Sequence, residues 1–95
     1  MRLEWDEKKN RSNLAKHKIS FETASLVFDD PRRSVFRIAS LKERNDGKEG
    51  EERWQTLGMI SGIVLIVAHT FRDEDGDEVF RLISARKATA RERQA

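Results

Sequence analysis

Ninety-five residues with 37% hydrophobic and 38% charged side chains make one small domain, residues 1–95, with a largely ionic surface. The absence of cysteine excludes disulfides and thiolate metal sites, and the only histidines, His17 and His69, have no zinc-binding spacing, so no metal and no cofactor are expected. A net charge of +2 conceals segregation: residues 1–18 carry six basic and three acidic side chains, residues 79–95 five against one, and residues 72–78 one against five. Two basic ends around an acidic hairpin tip predict a polarised surface able to steer a polyanion.

Leu3-Glu4-Trp5 reads as a short first strand. Asp6 then caps a helix running to about His17, with Glu7 in the first turn where the helix dipole favours an acid. This helix is poor in apolar residues, and Lys9, Asn13, Lys16 and His17 fall on adjoining positions along it. Ser20 begins a second helix whose apolar stripe is Phe21, Ala24, Val27 and Phe28, with Ile19 stapled on Ala24 and Pro31 as the stop. After Pro31 the hydrophobic period changes to two. A strand over 34–39 precedes the polar stretch 42–52, which contains Gly47 and Gly50 and reads as a mobile loop. Strands over 53–60, 62–72 and 78–84 follow, joined by Ser61-Gly62 and Asp75-Gly76 turns. The middle strand is apolar on both faces, as a central strand should be, and its run 63–68 is too short to span a membrane. Thr89-Ala90-Arg91-Glu92 is a capping box for a last helix. The whole is an α+β domain: two N-terminal helices on an antiparallel meander, then a C-terminal helix. With no signal-peptide pattern at the start, a cytoplasmic location is expected.

The turns also predict a register. With two residues in each, Arg53 faces Thr70 and Thr70 faces Arg81, so all three share one face together with Gln55 and Arg72. Trp54, Phe71, Phe80 and Leu82 form the opposite, apolar face, which also takes His69. An arginine within a strand is costly to bury without an anion, and clustered guanidiniums offer planar, bidentate donors for phosphate. Ion pairing of Arg53 and Arg81 with Glu51, Glu52 or Glu78 is the structural alternative. The Ser84-Ala85-Arg86-Lys87 and Asp73-Glu74-Asp75-Gly76-Asp77 strings mimic a β-lactamase motif and a calcium loop, but the rest of either site is missing.

Three segments carry a resemblance: Glu4-Trp5-Asp6-Glu7-Lys8-Lys9-Asn10, Asn13-Leu14-Ala15-Lys16-His17-Lys18-Ile19-Ser20-Phe21 and Val27-Phe28-Asp29-Asp30-Pro31. Gly50-Glu51-Glu52-Arg53-Trp54, Leu57-Gly58 and the run from Arg81 through Arg86-Lys87-Ala88-Thr89 to Arg91-Glu92 extend it over nearly the whole chain. This order resembles the BrnT family. The resemblance implies a RelE-like fold and a ribonuclease toxin of a type II toxin–antitoxin system. It also implies a BrnA-type antitoxin with a ribbon-helix-helix region, operator DNA contacted only through the toxin–antitoxin complex, and no membrane partner. One departure stands out: Lys18 occupies the place after the Lys-His pair where the family usually has glycine.

Metal-independent cleavage by a ribose 2′-OH needs a base near that hydroxyl, cations around the phosphorane and an acid for the leaving oxygen. Arg53, Arg81 and Arg86 are assigned to phosphate and transition-state charge, and Lys16 and His17 to acid–base work. Arg72, Thr70 and Lys87 are assigned to binding RNA. A non-catalytic basic module that binds nucleic acid or a protein partner needs the same basic ends without the acid–base pair, and remains the alternative reading.

Overall fold

The computed structural model describes residues 1–37 and 52–94. Strand β1 (Arg2–Glu4) leads into helix α1 (Glu7–His17) and the single turn α2 (Phe21–Ala24), which tightens into a 3₁₀ turn over Ser25–Asp29. Strands β2 (Ser34–Arg37), β3 (Glu52–Ile60), β4 (Ile63–Glu74) and β5 (Asp77–Lys87) follow, and α3 (Ala90–Arg93) is one helical turn. The sheet order is β1-β5-β4-β3-β2. The expected meander is present in β2 to β5, but the sheet is mixed: β1 lies parallel to β5, with Leu3 opposite Phe80. A parallel neighbour needs a long crossover, and here the helices and three strands of the chain supply it. Of the polar stretch expected as a loop, Glu52 belongs to β3 and the remainder lies outside the described residues, as do residues 38 and 39 of the expected strand 34–39.

Both tight turns have the backbone that two-residue hairpins prefer. Ser61 and Gly62 have φ of 51° and 81°, and Asp75 and Gly76 have 53° and 87°. Positive φ at both central positions matches the right-handed twist of the flanking strands. Ile60 therefore faces Ile63, and Glu74 faces Asp77, as the two-residue turns require.

The core lies on one face of the sheet. Phe21, Ala24, Val27 and Phe28 pack against Leu65, Val67, Leu82 and Ala85, with Ile19 closing the near end. Burying each large apolar side chain contributes about 1.5–3 kcal/mol, so this cluster accounts for most of the cohesion. Gly58 is required here: a Cβ on it would sit 2.7 Å from Val27 Cγ1. Helix α1 is attached differently, because Leu14 is 49% exposed and contributes little. Two buried asparagines dock it. Asn10 Oδ1 accepts from Phe21 N at 2.8 Å. Asn13 Nδ2 donates to Ala85 O at 2.9 Å, and Asn13 Oδ1 accepts from Ala85 N at 3.1 Å. Beyond the end of β1, the amide of Asn13 thus pairs with the backbone edge of β5 as a neighbouring strand would. Asn13, grouped from sequence with Lys9, Lys16 and His17 on adjoining positions of this helix, is a buried structural residue.

Candidate functional site

The face opposite α1 and α2 carries the arginines. Arg53 pairs with Thr70, and the Arg72–Val79 and His69–Leu82 pairs on either side set Arg81 next to Thr70 on β5. The cross-strand row Arg53–Thr70–Arg81 is therefore formed as its register requires. Thr70 is fully buried, and its Oγ1 has no hydrogen-bond partner among the described residues. A buried hydroxyl left in this state is uncommon in native proteins and calls for an explanation.

Arg86 reaches the same face through an irregularity that alternation did not reveal. The β4–β5 register shifts between Ala68 and His69: His69 pairs with Leu82, but Ala68 pairs with Ser84. One residue of β5 is left over, and such a bulge re-aims every side chain after it. Without it Arg86 would point towards the core. With it, Arg86 stands beside Ile66, which pairs in turn with Leu57 on the arginine face. Its guanidinium is a fork on Glu92, with Nη1 to Oε1 and Nη2 to Oε2 both at 2.8 Å. Glu92 also accepts from Thr89 N at 2.8 Å, closing the capping box of α3. The Arg86 hydrogen bond chiefly, then the backbone bond from Thr89, pulls the Glu92 carboxyl down to about 2. Arg86 thus anchors α3 to the sheet. Lys87 pairs with Leu65, a core residue, so alternation sends it to the face opposite the arginine row.

Arg72 shares the arginine face but sits within an ionic ladder. Its Nη1 donates to Glu4 Oε2 at 3.1 Å and its Nε to Glu74 Oε2 at 2.8 Å. Arg2 completes the ladder, with Nη2 2.6 Å from Glu74 Oε1 and Nη1 3.5 Å from Asp77 Oδ2. The hydrogen bonds that Arg72 donates to Glu4 and Glu74 raise its pKa, and those that Glu74 accepts from Arg2 and Arg72 lower the pKa of Glu74. The expected separation of a basic N-terminus from an acidic hairpin tip is corrected accordingly: the two meet and neutralise each other.

Lys16 is exposed and His17 half-buried, one turn beyond Asn13 on the helix docked at the β5 edge. Among the described residues neither side chain makes a hydrogen bond or ion pair with the arginine row. His69 is on the core side beside Trp54, as the register requires, and is 1% exposed. Its Nδ1 donates to the Thr70 carbonyl at 3.1 Å, which leaves Nε2 to accept from the Thr56 hydroxyl at 2.7 Å. Burial depresses its pKa, and its ring packs on Phe28 and Phe80 with centroids 5.2 Å away. His69 is a neutral core residue.

One feature of the arginine face was missed from sequence. A cleft of about 460 Å³ opens on this face further along β3 and β4 than the row, floored by Phe36, Leu57, Met59 and Val64 and rimmed by Arg32 and Arg93. Phe36 pairs with Gln55, which places it on the same face as Arg53 and diagonally across from it. Period-two patterning put Phe36 in a strand. Its face stayed undefined because no tight turn links β2 to β3. Among the described residues no group of three or more His, Asp or Glu is arranged to hold a metal ion. Among the same residues no helix is long and apolar enough to cross a membrane.

No curated protein matches the chain. A family model described as the ribonuclease toxin BrnT of type II toxin–antitoxin systems matches residues 5–92. The match spans both docking asparagines, the arginine row and the Arg86–Glu92 fork, and the chain belongs to the BrnT family of ribonuclease toxins.

Proposed function

We propose that this toxin cleaves RNA without a metal ion, through attack of a ribose 2′-OH on the adjacent phosphate, and that a BrnA-type ribbon-helix-helix antitoxin neutralises it. Operator DNA would then be contacted through the toxin–antitoxin complex. The observation that carries this reading is the cross-strand row of two arginines around the buried, unsatisfied hydroxyl of Thr70. Guanidiniums held on the two strands that flank β4 bind phosphate oxygens and stabilise the charge that grows on them in the transition state, a task that otherwise falls to a metal ion. Thr70 donates to the same phosphate once a substrate is bound. Arg86 and Arg72 already hold carboxylates, so they reach phosphate only by exchanging Glu92, or Glu4 and Glu74. Lys16 and His17 are the acid–base pair, brought towards the β5 edge by α1.

The test is cleavage of a single-stranded RNA by the purified toxin in excess chelator, with and without ribosomes. A 2′,3′-cyclic phosphate product, no cleavage of a 2′-O-methyl substrate, and a loss of about 100-fold or more in Arg81→Ala are expected. Cleavage that persists on the 2′-O-methyl substrate, or that returns only with added magnesium, refutes the mechanism.

A further inference from the structure

We infer that the cleft on the arginine face is a nucleobase subsite, in which Phe36, the lining residue diagonal to Arg53, stacks on the base adjoining the phosphate held by Arg53 and Arg81. This rests on the ribonuclease reading and extends it from the phosphate to the base. Phe36 is 47% exposed and Met59 54%, a large apolar surface for an 11.1 kDa chain to present beside arginines. Single-stranded nucleic acid is bound by this combination, cations tracking the backbone and an aromatic ring on which a base stacks. Phe36 and Arg53 are diagonal cross-strand neighbours, a spacing of about 7–8 Å that aromatic and long side chains bridge. The cleft volume falls within the range of small-molecule pockets, which span about 300–1,000 Å³.

Charge around the cleft favours the same occupant. Its two acids are engaged by the protein: Asp30 accepts from Arg32 N and Met59 N at 2.9 and 2.8 Å, and Glu92 holds Arg86 and Thr89. Their carboxyls are lowered by these bonds and stay charged without facing a ligand alone. Arg32 and Arg93 remain on the rim, where a flanking phosphate would lie. An antitoxin side chain is the competing occupant, and the experiment separates the two.

The probe is a short, uncleavable 2′-O-methyl RNA carrying one 2-aminopurine, moved through every position in turn, with fluorescence and affinity read together. For the wild type, one position should be strongly quenched on binding. Phe36→Ala should remove that quench and weaken binding roughly tenfold, the size of one lost base–aromatic stack. Phe36→Trp should restore both, and thermal melts should show all three proteins folded. Unchanged quenching and affinity in Phe36→Ala overturn the subsite. So does a Phe36→Ala protein that binds RNA normally but no longer retains its co-expressed antitoxin, which assigns the cleft to the protein partner. Absence of any RNA binding by the wild type is a different failure, because it removes the phosphate site itself and the subsite with it.

Discussion

Replacing Asn13 with alanine tests whether a side chain here acts as a strand. The amide makes three buried hydrogen bonds, to Ala85 N, Ala85 O and Ile19 O, at 3.1, 2.9 and 2.8 Å. Each contributes about 1 kcal/mol net, and each buried backbone group left without a partner costs at least as much. A loss of about 3 kcal/mol is therefore expected, against a total of about 5–14 kcal/mol for a chain of this length. In a thermal melt that is a fall of roughly 12–24 °C. Asn13→Asp is the sharper probe. It keeps the acceptor for Ala85 N but sets a carboxylate against two carbonyl oxygens, so its folded pKa must rise above the unfolded value of about 3.9. A raised acid pKa gives stability that is fully present below the unfolded value and is lost as pH rises through the folded one. Asn13→Asp should thus be least destabilised in acid. Hydrogen exchange supplies a local readout, since the Ala85 amide should lose protection in Asn13→Ala well before the β4–β5 ladder does. A melt within about 1 kcal/mol of wild type, or an Ala85 amide still protected, would refute the strand-surrogate account.

Lys18→Gly should stabilise the toxin by about 1 kcal/mol, because Lys18 sits at φ 65° after α1, where a Cβ is strained. The exposed Nζ bond to Ala15 O that it removes is a small loss, and denaturant unfolding reads the difference. Gly58→Ala should cost about 1–3 kcal/mol by overpacking, since the new Cβ lands 2.7 Å from Val27 Cγ1 and 3.1 Å from Val27 O. A melt unchanged by that substitution would mean that the helix–sheet contact is looser than the structure indicates. Glu92 has its carboxyl depressed from 4.5 to about 2, mainly by Arg86. A depressed acid contributes stability that is present above the unfolded pKa and lost as pH falls through the folded one. Glu92→Gln should therefore flatten the acid limb of the stability profile between those two values, leaving its neutral limb parallel to wild type.

The register of β3, β4 and the first part of β5 was legible because two turns with positive-φ residues each fix the pairing of a whole strand. Once Ser61-Gly62 and Asp75-Gly76 are taken as two-residue turns, Arg53, Thr70 and Arg81 must share a row, and His69 must face the core. The parallel placement of β1 was not legible, since Leu3-Glu4-Trp5 carries no signal for its partner. Nor was the docking of α1, because asparagines that mimic a strand look like any polar helix face. The bulge had no glycine to announce it, although it decides which way Arg86 points.

What sequence reasoning treated as one cluster of arginines is therefore three arrangements with different roles. Arg72 is bridged by Glu4 and Glu74 and ties β1 to the hairpin, joining segments 68 residues apart. Arg86 is forked on Glu92 and fixes α3 over the edge of the cleft. Arg53 and Arg81 flank a hydroxyl that folding alone leaves unsatisfied. An ion pair on a protein surface contributes little to stability, so the first two arrangements matter for what they position. The Glu92 fork holds α3 where Arg93 rims the cleft, and the Glu4–Arg72–Glu74 ladder holds β1 against β5 beside the row. An arginine in either bridge supports the site by neutralising a carboxylate near it, and removing Glu92 should raise polyanion affinity where removing Arg81 lowers it. Measured on one uncleavable RNA over a range of salt, the two substitutions should shift affinity in opposite directions. A fall in both would return Arg86 and its acid to the phosphate site as a single unit.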